Sequence, residues 1–574
     1  MAEVHLDQRI RPSDEDIGES AASLDFSLLD LIDAESPGRA VKRGGVSAEQ
    51  GPPSPDKVRQ SGKKRVEEHA ENGRHGDAVQ SFTKRNGIRY TDVIVIGNGP
   101  SGITMSYFLS GHWPYYTGVS HPNELLQMKL ENIPTDVSLV EQDLDYLSDG
   151  LEGRSSNPVA LLFDALTHPE ADTGMDVKSV LHWEHDTDKI IPHVVLGRQA
   201  EGGTWQTLNS EVQTLSIGSW MELPDLPIVQ WLAEYRSLKQ ELHEDYVPPS
   251  VQNRTSLTEV CTYYSDYVKK KHLCSYLQNY STVTSVERVL DVSHAIDDES
   301  GEQNPCCYDH RGKLKWEVRG YQVITNERGE EETVDFCYRA PNVVLATGSY
   351  DIPNKLGISG ESLPYVLHSL FELESVMRSG HLTTESDPVM VIGAGLSAAD
   401  VILFAESLSI PIIHVFRRDV EDPKIILRQL PAALYPEYHH VLQMMKDNDL
   451  DDSYKAYPEH EVIQCLEDGK VVIRGPNVGC DLVIQVSYVV VLVGSRPNLS
   501  FLPQDGKNLG IYPGLGIDAK NNLVHIDPLS YQSVQESGLF ALGPLVGDNF
   551  VRFLRGGALG VTSFLWQKRK EDKN

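Results

Sequence analysis

Cysteine is scarce in this chain: seven in 574 residues, with no C-x-x-C pair among them. Cys306 and Cys307 are adjacent, too close for an ordinary bridge. A disulfide framework is therefore excluded, and a reducing, intracellular compartment is expected. Basic excess is missing too. Lys and Arg number 51 against 83 Asp and Glu, for a net charge of -32, which excludes the cationic face of a nucleic-acid binder. No apolar run is long enough to span a bilayer, and the start lacks the basic and apolar regions of a secretory signal. The closing KRKEDKN carries no prenylation or peroxisomal address. These absences predict a cytoplasmic protein, with nuclear access left open. No metal is expected, because no His/Cys cluster has zinc spacing and His439–His440 are neighbours pointing different ways on a helix. There is no P-loop and no G-x-S-x-G elbow.

What the chain does have is two glycine-rich turns. TDVIVIGNGPSG occupies residues 91–102 and PVMVIGAGLSAAD residues 388–400. Each is a short β-branched run ending in glycines and leading into a helix-compatible stretch. One such match is weak evidence, since glycine turns are common in α/β cores. Two predict two dinucleotide sites in one chain.

The rest of the pattern organises around them. Residues 1–87 read as a disordered acidic arm with one amphipathic island, LDFSLLDLIDAE at 24–35, a transient helix or a docking motif for a protein partner. From residue 88, strands and helices alternate as in a doubly wound sheet. The expected architecture is α/β with two Rossmann-like domains. Residues 88–380 form the first part of an FAD-binding domain, with an insertion at about 111–190. Residues 381–500 form an NADPH-binding domain inserted within it, and 501–574 complete the first. A β-meander is expected between residues 291 and 339.

The predicted site follows from this frame. Gly97, Gly99 and Gly102, with Pro100 and Ser101, allow a tight turn and close approach of a pyrophosphate to a helix start. Gly393, Gly395, Ser397 and Ala398 do the same in the second unit, Ala398 standing at the third glycine position. About 20 residues beyond that turn come Arg417 and Arg418, where a guanidinium suits the extra phosphate of NADPH. The matching acid for the flavin's adenosine ribose is absent, because the strand HVVLGR puts Gly197 there. Glu141, after the strand-like DVSLV, is the alternative, followed by Glu201. Gly202, Gly203, Thr204 and Trp205 make a small-residue turn ending in a ring that can wall a flavin pocket. Ala346, Thr347 and Gly348 end a strand where the chain must pass near a cofactor. His368, between the two units, is a candidate to face the nicotinamide.

The motifs GNGPSG, GGTW, ATGSYDIP, GAGLSAAD and FALGPLVGD, in this order, resemble the flavin-dependent monooxygenases with two dinucleotide folds. More closely, YLSDGLEGRSSNPVALLFD, SVLHWEHD, IPHVVLGRQAEGGTW and LSIGSWMELPDLP resemble the oxidative stress-induced growth inhibitor family, from about residue 90 to 567. The resemblance implies FAD and NADPH as cofactors and adds Gly543 and Asp548 of the last motif to the cofactor-binding set. It implies hydroperoxyflavin chemistry on a small molecule or protein side chain, with peroxide released where the adduct is poorly protected. It also implies a role in growth restraint or cell death under oxidative stress. Two departures stand out: the ribose acid is replaced by Gly197, and no flavin-contacting Asn follows GGTW, leaving Ser216 and Ser219 as polar candidates. They support the rival reading, a flavin-fold regulator that acts through partners without turnover. A disulfide reductase is the third reading, and it lacks its C-x-x-C.

Overall fold

Two runs of apolar residues, VIVI and VMVI, each form the centre of a parallel sheet. Val93–Ile96 and Val389–Ile392 are buried along their whole length, as expected for strands covered on both faces. The computed structural model describes residues 83–85, 87–173, 177–207, 213–242, 254–291, 313–326, 328–447, 453–476 and 481–572. The island at 24–35 lies outside the described residues, with most of the predicted arm.

The first sheet has the order Leu539–Ala541, Asn342–Leu345, Val93–Ile96, His193–Leu196, Leu277–Gln278, all parallel. The second has the order Val366–Leu367, Tyr488–Val491, Val389–Ile392, Ile412–Phe416, Tyr454–Pro458, also parallel. The chain leaves the first sheet after Leu345, builds the second, and returns at Leu539. One doubly wound unit is thus inserted in the other. The outgoing and returning links pair with each other, Ile352–Pro353 antiparallel to Ser495–Arg496. Both links leave the carboxyl edge of a central strand, so both glycine turns lie on the edges facing this hinge.

A second tie holds the units together. The Arg254 guanidinium, 3% exposed, donates to the Thr214 and Leu434 carbonyls, pairs with Glu437 at 2.7 Å and lies over the Tyr435 ring. Tyr435 returns a hydrogen bond from its hydroxyl to the Leu215 carbonyl. A guanidinium that is fully paired in this way resists displacement, because withdrawal would strand buried polar groups.

The meander comprises Ser281–Asp291, Lys313–Thr325 and Glu331–Ala340, so it begins ten residues before the predicted start. Ile88–Tyr90 joins its outer strand. The insertion is closed at its base by a ladder, His112–Tyr116 antiparallel to Leu181–His185. Its helix Pro158–Thr167 packs on the terminal helix Val551–Glu571, where a Cβ at Gly556 would fall 2.4 Å from the Ala160 Cα. The predicted strand DVSLV is absent. Leu139–Glu141 is a single 3-10 turn, capped by the Ser138 hydroxyl.

The glycines of the first turn differ sharply in what they permit. A Cβ at Gly102 would fall 1.8 Å from the Gly97 carbonyl oxygen, whereas one at Gly99 would meet only the Gly202 oxygen at 3.8 Å. Gly102→Ala is expected to destabilise the chain by about 2–3 kcal/mol through overpacking, and Gly99→Ala to change stability by less than about 0.5 kcal/mol. Thermal unfolding midpoints of the two variants check this contrast.

Candidate functional site

The first turn is shaped by close backbone contacts. Gly97 has a φ of +112°, and a Cβ there would fall 2.2 Å from the Ala346 carbonyl oxygen on the neighbouring strand. No other residue type fits. The helix Pro100–Leu109 then starts with Pro at its first turn and no side-chain cap. Its first N–H groups are left for a ligand, and the dipole favours an anion there. Opposite, the Gly202 N–H donates to the Asn98 carbonyl at 2.9 Å, and a Cβ at Gly203 would fall 3.1 Å from the Gly99 nitrogen. The two small-residue turns therefore meet.

Between them opens a cleft of about 430 Å³. Gly97, Gly99, Pro100 and Ser101 line it, as do Gly202, Gly203, Thr204, Trp205, Ala346, Thr347 and Gly348. Ile96, Leu196, Val283, Phe501 and Leu554 give it apolar walls. The Thr347 hydroxyl is buried without a partner in that wall. Gly102 packs beneath the turn rather than in the cleft. Gly543 meets the start of the same helix, where a Cβ would fall 2.7 Å from the Ser101 hydroxyl.

The three positions considered for the ribose acid lie differently. At Gly197 a Cβ would fall 1.9 Å from the Asn98 side chain, so an acid is sterically excluded there. Asn98, 2% exposed, donates its amide to the Gln199 and Ala200 carbonyls and to Asn279. Asn98 was not singled out from the sequence, although the GNG spelling marks it. Glu201 accepts from Asn279 at 2.8 Å. Glu141 is corrected: it does not line the cleft. Lacking a strand to carry it to the sheet edge, it lies beside the terminal helix, bonded to Trp566 and Lys570. Those donors hold its carboxyl below the usual range despite the opposing effect of burial. Arg198 and Asp351 also line the cleft and form an ion pair, and Asp351 accepts the Asn498 N–H across the hinge.

The second turn repeats the geometry of the first. Gly393 has a φ of +126°, and its Cβ would fall 2.3 Å from the Leu492 oxygen. Gly395 opens onto free space ahead of the helix Leu396–Ser407, which has no side-chain cap. Ser397 lies in that helix's first turn, and Ala398, 1% exposed, packs into the core. The Gly393 N–H donates to the Val415 carbonyl, which sets the end of Ile412–Phe416 beside the turn. Arg417 and Arg418 follow, both exposed, with Arg418 paired to Asp422 at 2.7 Å. His414, missed by the sequence reading, donates Nε2–H to the Gly393 carbonyl and accepts from the Tyr454 hydroxyl. Burial pulls its pKa down to about 4, so it stays neutral while it holds the turn.

His368 faces a carboxylate rather than the cleft: its ring lies 3.4 Å from Glu361, which also accepts the Leu356 and Gly357 N–H groups. Ser216 and Ser219, both half-buried, lie outside the cleft lining, on Gln213–Ile217 and Gly218–Met221. Among the described residues no group of three His, Cys, Asp or Glu could hold a metal, and no helix is long and apolar enough to cross a membrane.

Comparison with known proteins adds a family. Residues 315–525 match the family described as pyridine nucleotide-disulphide oxidoreductase. The human oxidative stress-induced growth inhibitor 2 is 45% identical over 493 residues, covering 83% of this chain and 94% of the relative. The chain belongs to the oxidative stress-induced growth inhibitor family. Among solved structures it is similar to the bacillithiol disulfide reductase of Staphylococcus aureus, with a TM-score of 0.48, 13% identity, and coverage of 84% and 99% of the two chains. The ornithine N-hydroxylase of Kutzneria sp. 744 gives a TM-score of 0.48 and 13% identity, with coverage of 84% and 100%.

In this family member the terminal Asp548 is a second correction. Its carboxylate turns away from the cleft and accepts from Ser155, Asn157 and Tyr531. The left-handed Gly547 just before it, at φ +92°, reverses the chain so that Asp548 faces the insertion. Asn549, its neighbour, lines the cleft. Burial pushes the Asp548 carboxyl up to about 6, only partly offset by its three donors. The folded state therefore holds this proton more tightly than the unfolded chain. Its contribution to stability is full below pH 3.8, the group's ordinary value, and is lost as pH rises through about 6. Asp548→Asn removes the titration, so its stability relative to the unsubstituted protein should rise by about 2 kcal/mol between pH 4 and pH 7. Denaturation of both proteins across that range checks the slope.

Proposed function

We propose that the cleft binds FAD, that the second turn binds NADPH, and that the protein is a flavin-dependent NADPH monooxygenase. The observation that carries this reading is the pair of glycine turns on the carboxyl edges of two parallel sheets, both facing one hinge. Ligands of open α/β sheets bind at such edges. The orphan Thr347 hydroxyl and the uncapped helix at Gly99 fit a phosphorylated, hydroxyl-bearing ligand. Trp205 and the apolar wall fit a flat ring.

Bound FAD supplies the chemistry: it accepts hydride from the nicotinamide and passes electrons to oxygen, for transfer to a substrate or release as hydrogen peroxide. The chain's own residues do the rest. Gly97 and Gly99 admit the pyrophosphate to the helix N–H groups. Arg417 and Arg418 read the phosphate that distinguishes NADPH from NADH. Arg254 and the paired links hold the two sites in fixed relation, which orients the donor toward the acceptor. The substrate is a small molecule or a protein side chain, and the family's name connects the activity to growth restraint under oxidative stress.

A second reading, a regulator that binds flavin and acts through protein partners, draws on Asn98 filling the place of the ribose acid. One experiment separates the two. Anaerobic NADPH is expected to bleach the flavin of the purified yellow protein. Arg417→Glu should raise the NADPH KM by about tenfold to a hundredfold, with little effect on NADH. Bound flavin that NADPH leaves oxidised favours the regulator, and a colourless protein after expression with excess FAD removes both readings.

A further inference from the structure

An unbroken run of oxidisable rings lies behind the cleft wall. Trp205 stands 6.2 Å from Tyr264, Tyr264 is 5.6 Å from Tyr263, and Tyr263 is 5.4 Å from Trp231, centroid to centroid. Trp231 stacks at 4.7 Å on Tyr235, which reaches the surface. A branch leaves Tyr263 for Tyr267 at 6.2 Å and Tyr107 at 5.7 Å.

Packing alone accounts for rings in contact, but it does not account for their identity. Tyr263, Tyr264, Tyr267 and Tyr107 are fully buried, and their hydroxyls also serve the fold: Tyr263 accepts the Leu223 N–H at 2.8 Å, which Phe would leave unpaired. No member of the run is Phe. Indole and phenol rings are instead the aromatic side chains that give up one electron most readily.

The polar tips are ordered along the run. In its interior, Tyr264, Tyr263 and Tyr267 donate to the carbonyls of Met221, Leu226 and Pro224, at 3.3, 2.6 and 2.8 Å. A carbonyl does not take a proton at neutral pH, so an oxidised ring there cannot settle as a neutral radical. At the ends the partners are carboxylates. Trp231 donates Nε1–H to Asp266 at 3.2 Å, and Tyr107 donates its hydroxyl to Asp225 at 3.0 Å. Oxidation at either end can therefore release its proton to a base and come to rest.

We propose that the run from Trp205 to Trp231 and Tyr235 conducts one-electron oxidising equivalents out of the cleft to the surface, protecting the site from its own oxygen chemistry. This rests on reading the cleft as a flavin and oxygen site. A hydroxyl radical formed in the cleft takes one electron from Trp205 and becomes hydroxide. Trp205 is refilled from Tyr264, Tyr264 from Tyr263, and Tyr263 from Trp231, whose Nε1 proton passes to Asp266. A thiol at the surface returns one electron to Trp231 through Tyr235, the Asp266 proton goes back to Nε1, and the proton the thiol releases neutralises the hydroxide through solvent. In net terms hydroxyl radical and thiol become water and thiyl radical.

The test uses the full chain loaded with FAD, in which a light flash makes the flavin itself the one-electron oxidant of Trp205. Time-resolved absorption and electron paramagnetic resonance should then show a long-lived neutral indole radical. Tyr264→Phe, which interrupts both branches, should shorten the radical's life by about an order of magnitude, because charge held at Trp205 recombines with the adjacent flavin. Asp266→Asn leaves every ring in place and should keep the indole radical protonated. An unchanged lifetime in Tyr264→Phe overturns the proposal, and a neutral indole radical in Asp266→Asn overturns the assigned end point. The absorbance of the loaded chain separates these from a failure of the cleft reading. Without bound flavin that reading falls, and this proposal with it.

Discussion

The site depends on two places where backbone touches backbone with no room for a side chain. Gly97 lies against the Ala346 carbonyl and Gly393 against that of Leu492, each at a positive φ. A side chain at either would push apart two central strands of a parallel sheet, and with them the start of the following helix. Because both contacts lie on the edges facing the paired links, they set the shape of each site and its direction. The Arg254 tie adds a second fixed point away from the hinge, so the relation between the sites is held by two contacts rather than by one flexible crossing.

Around that frame the polar groups divide into those facing the cleft and those consumed by the fold. Thr347 and the first N–H groups of Pro100–Leu109 face inward without protein partners. Asn98 lines the cleft with its amide spent on neighbours, and Asp548, Glu141 and His368, outside the lining, are engaged by theirs. A cleft whose apolar walls are interspersed with polar side chains suits a cofactor that brings its own reactivity, where the protein contributes position, charge and exclusion of water. The aromatic run behind Trp205 belongs to the same division. It lies on the far side of the wall, with hydroxyls paired to carbonyls inside and ring donors paired to carboxylates at its ends.

Most of the frame was legible in the residues. VIVI and VMVI announced buried parallel strands, the glycines after them announced the turns, and the residues of GGTW and ATG did converge on one cleft. The failures have a common cause. DVSLV has strand composition, yet Leu139–Glu141 forms a 3-10 turn, with the Ser138 hydroxyl accepting the Val140 N–H and donating to the Pro114 carbonyl. Asp548 sits in a motif whose sequence suggests the cleft, but one left-handed glycine turns it toward Ser155 and Asn157, which are some 390 residues away in sequence. Composition is local, whereas the direction a side chain faces is settled by partners distant in the chain.

By itself, then, the sequence determined the class of fold, the place of both glycine turns and the cation pair after the second, because periodicity and glycine's freedom act over a few residues. Only the tertiary structure decided that Asn98 fills the space over Gly197, that Arg254 locks one unit to the other, and that seven scattered Trp and Tyr residues stand in line. Those relations depend on which surfaces meet after the chain has crossed twice between its sheets, and no local pattern encodes that meeting.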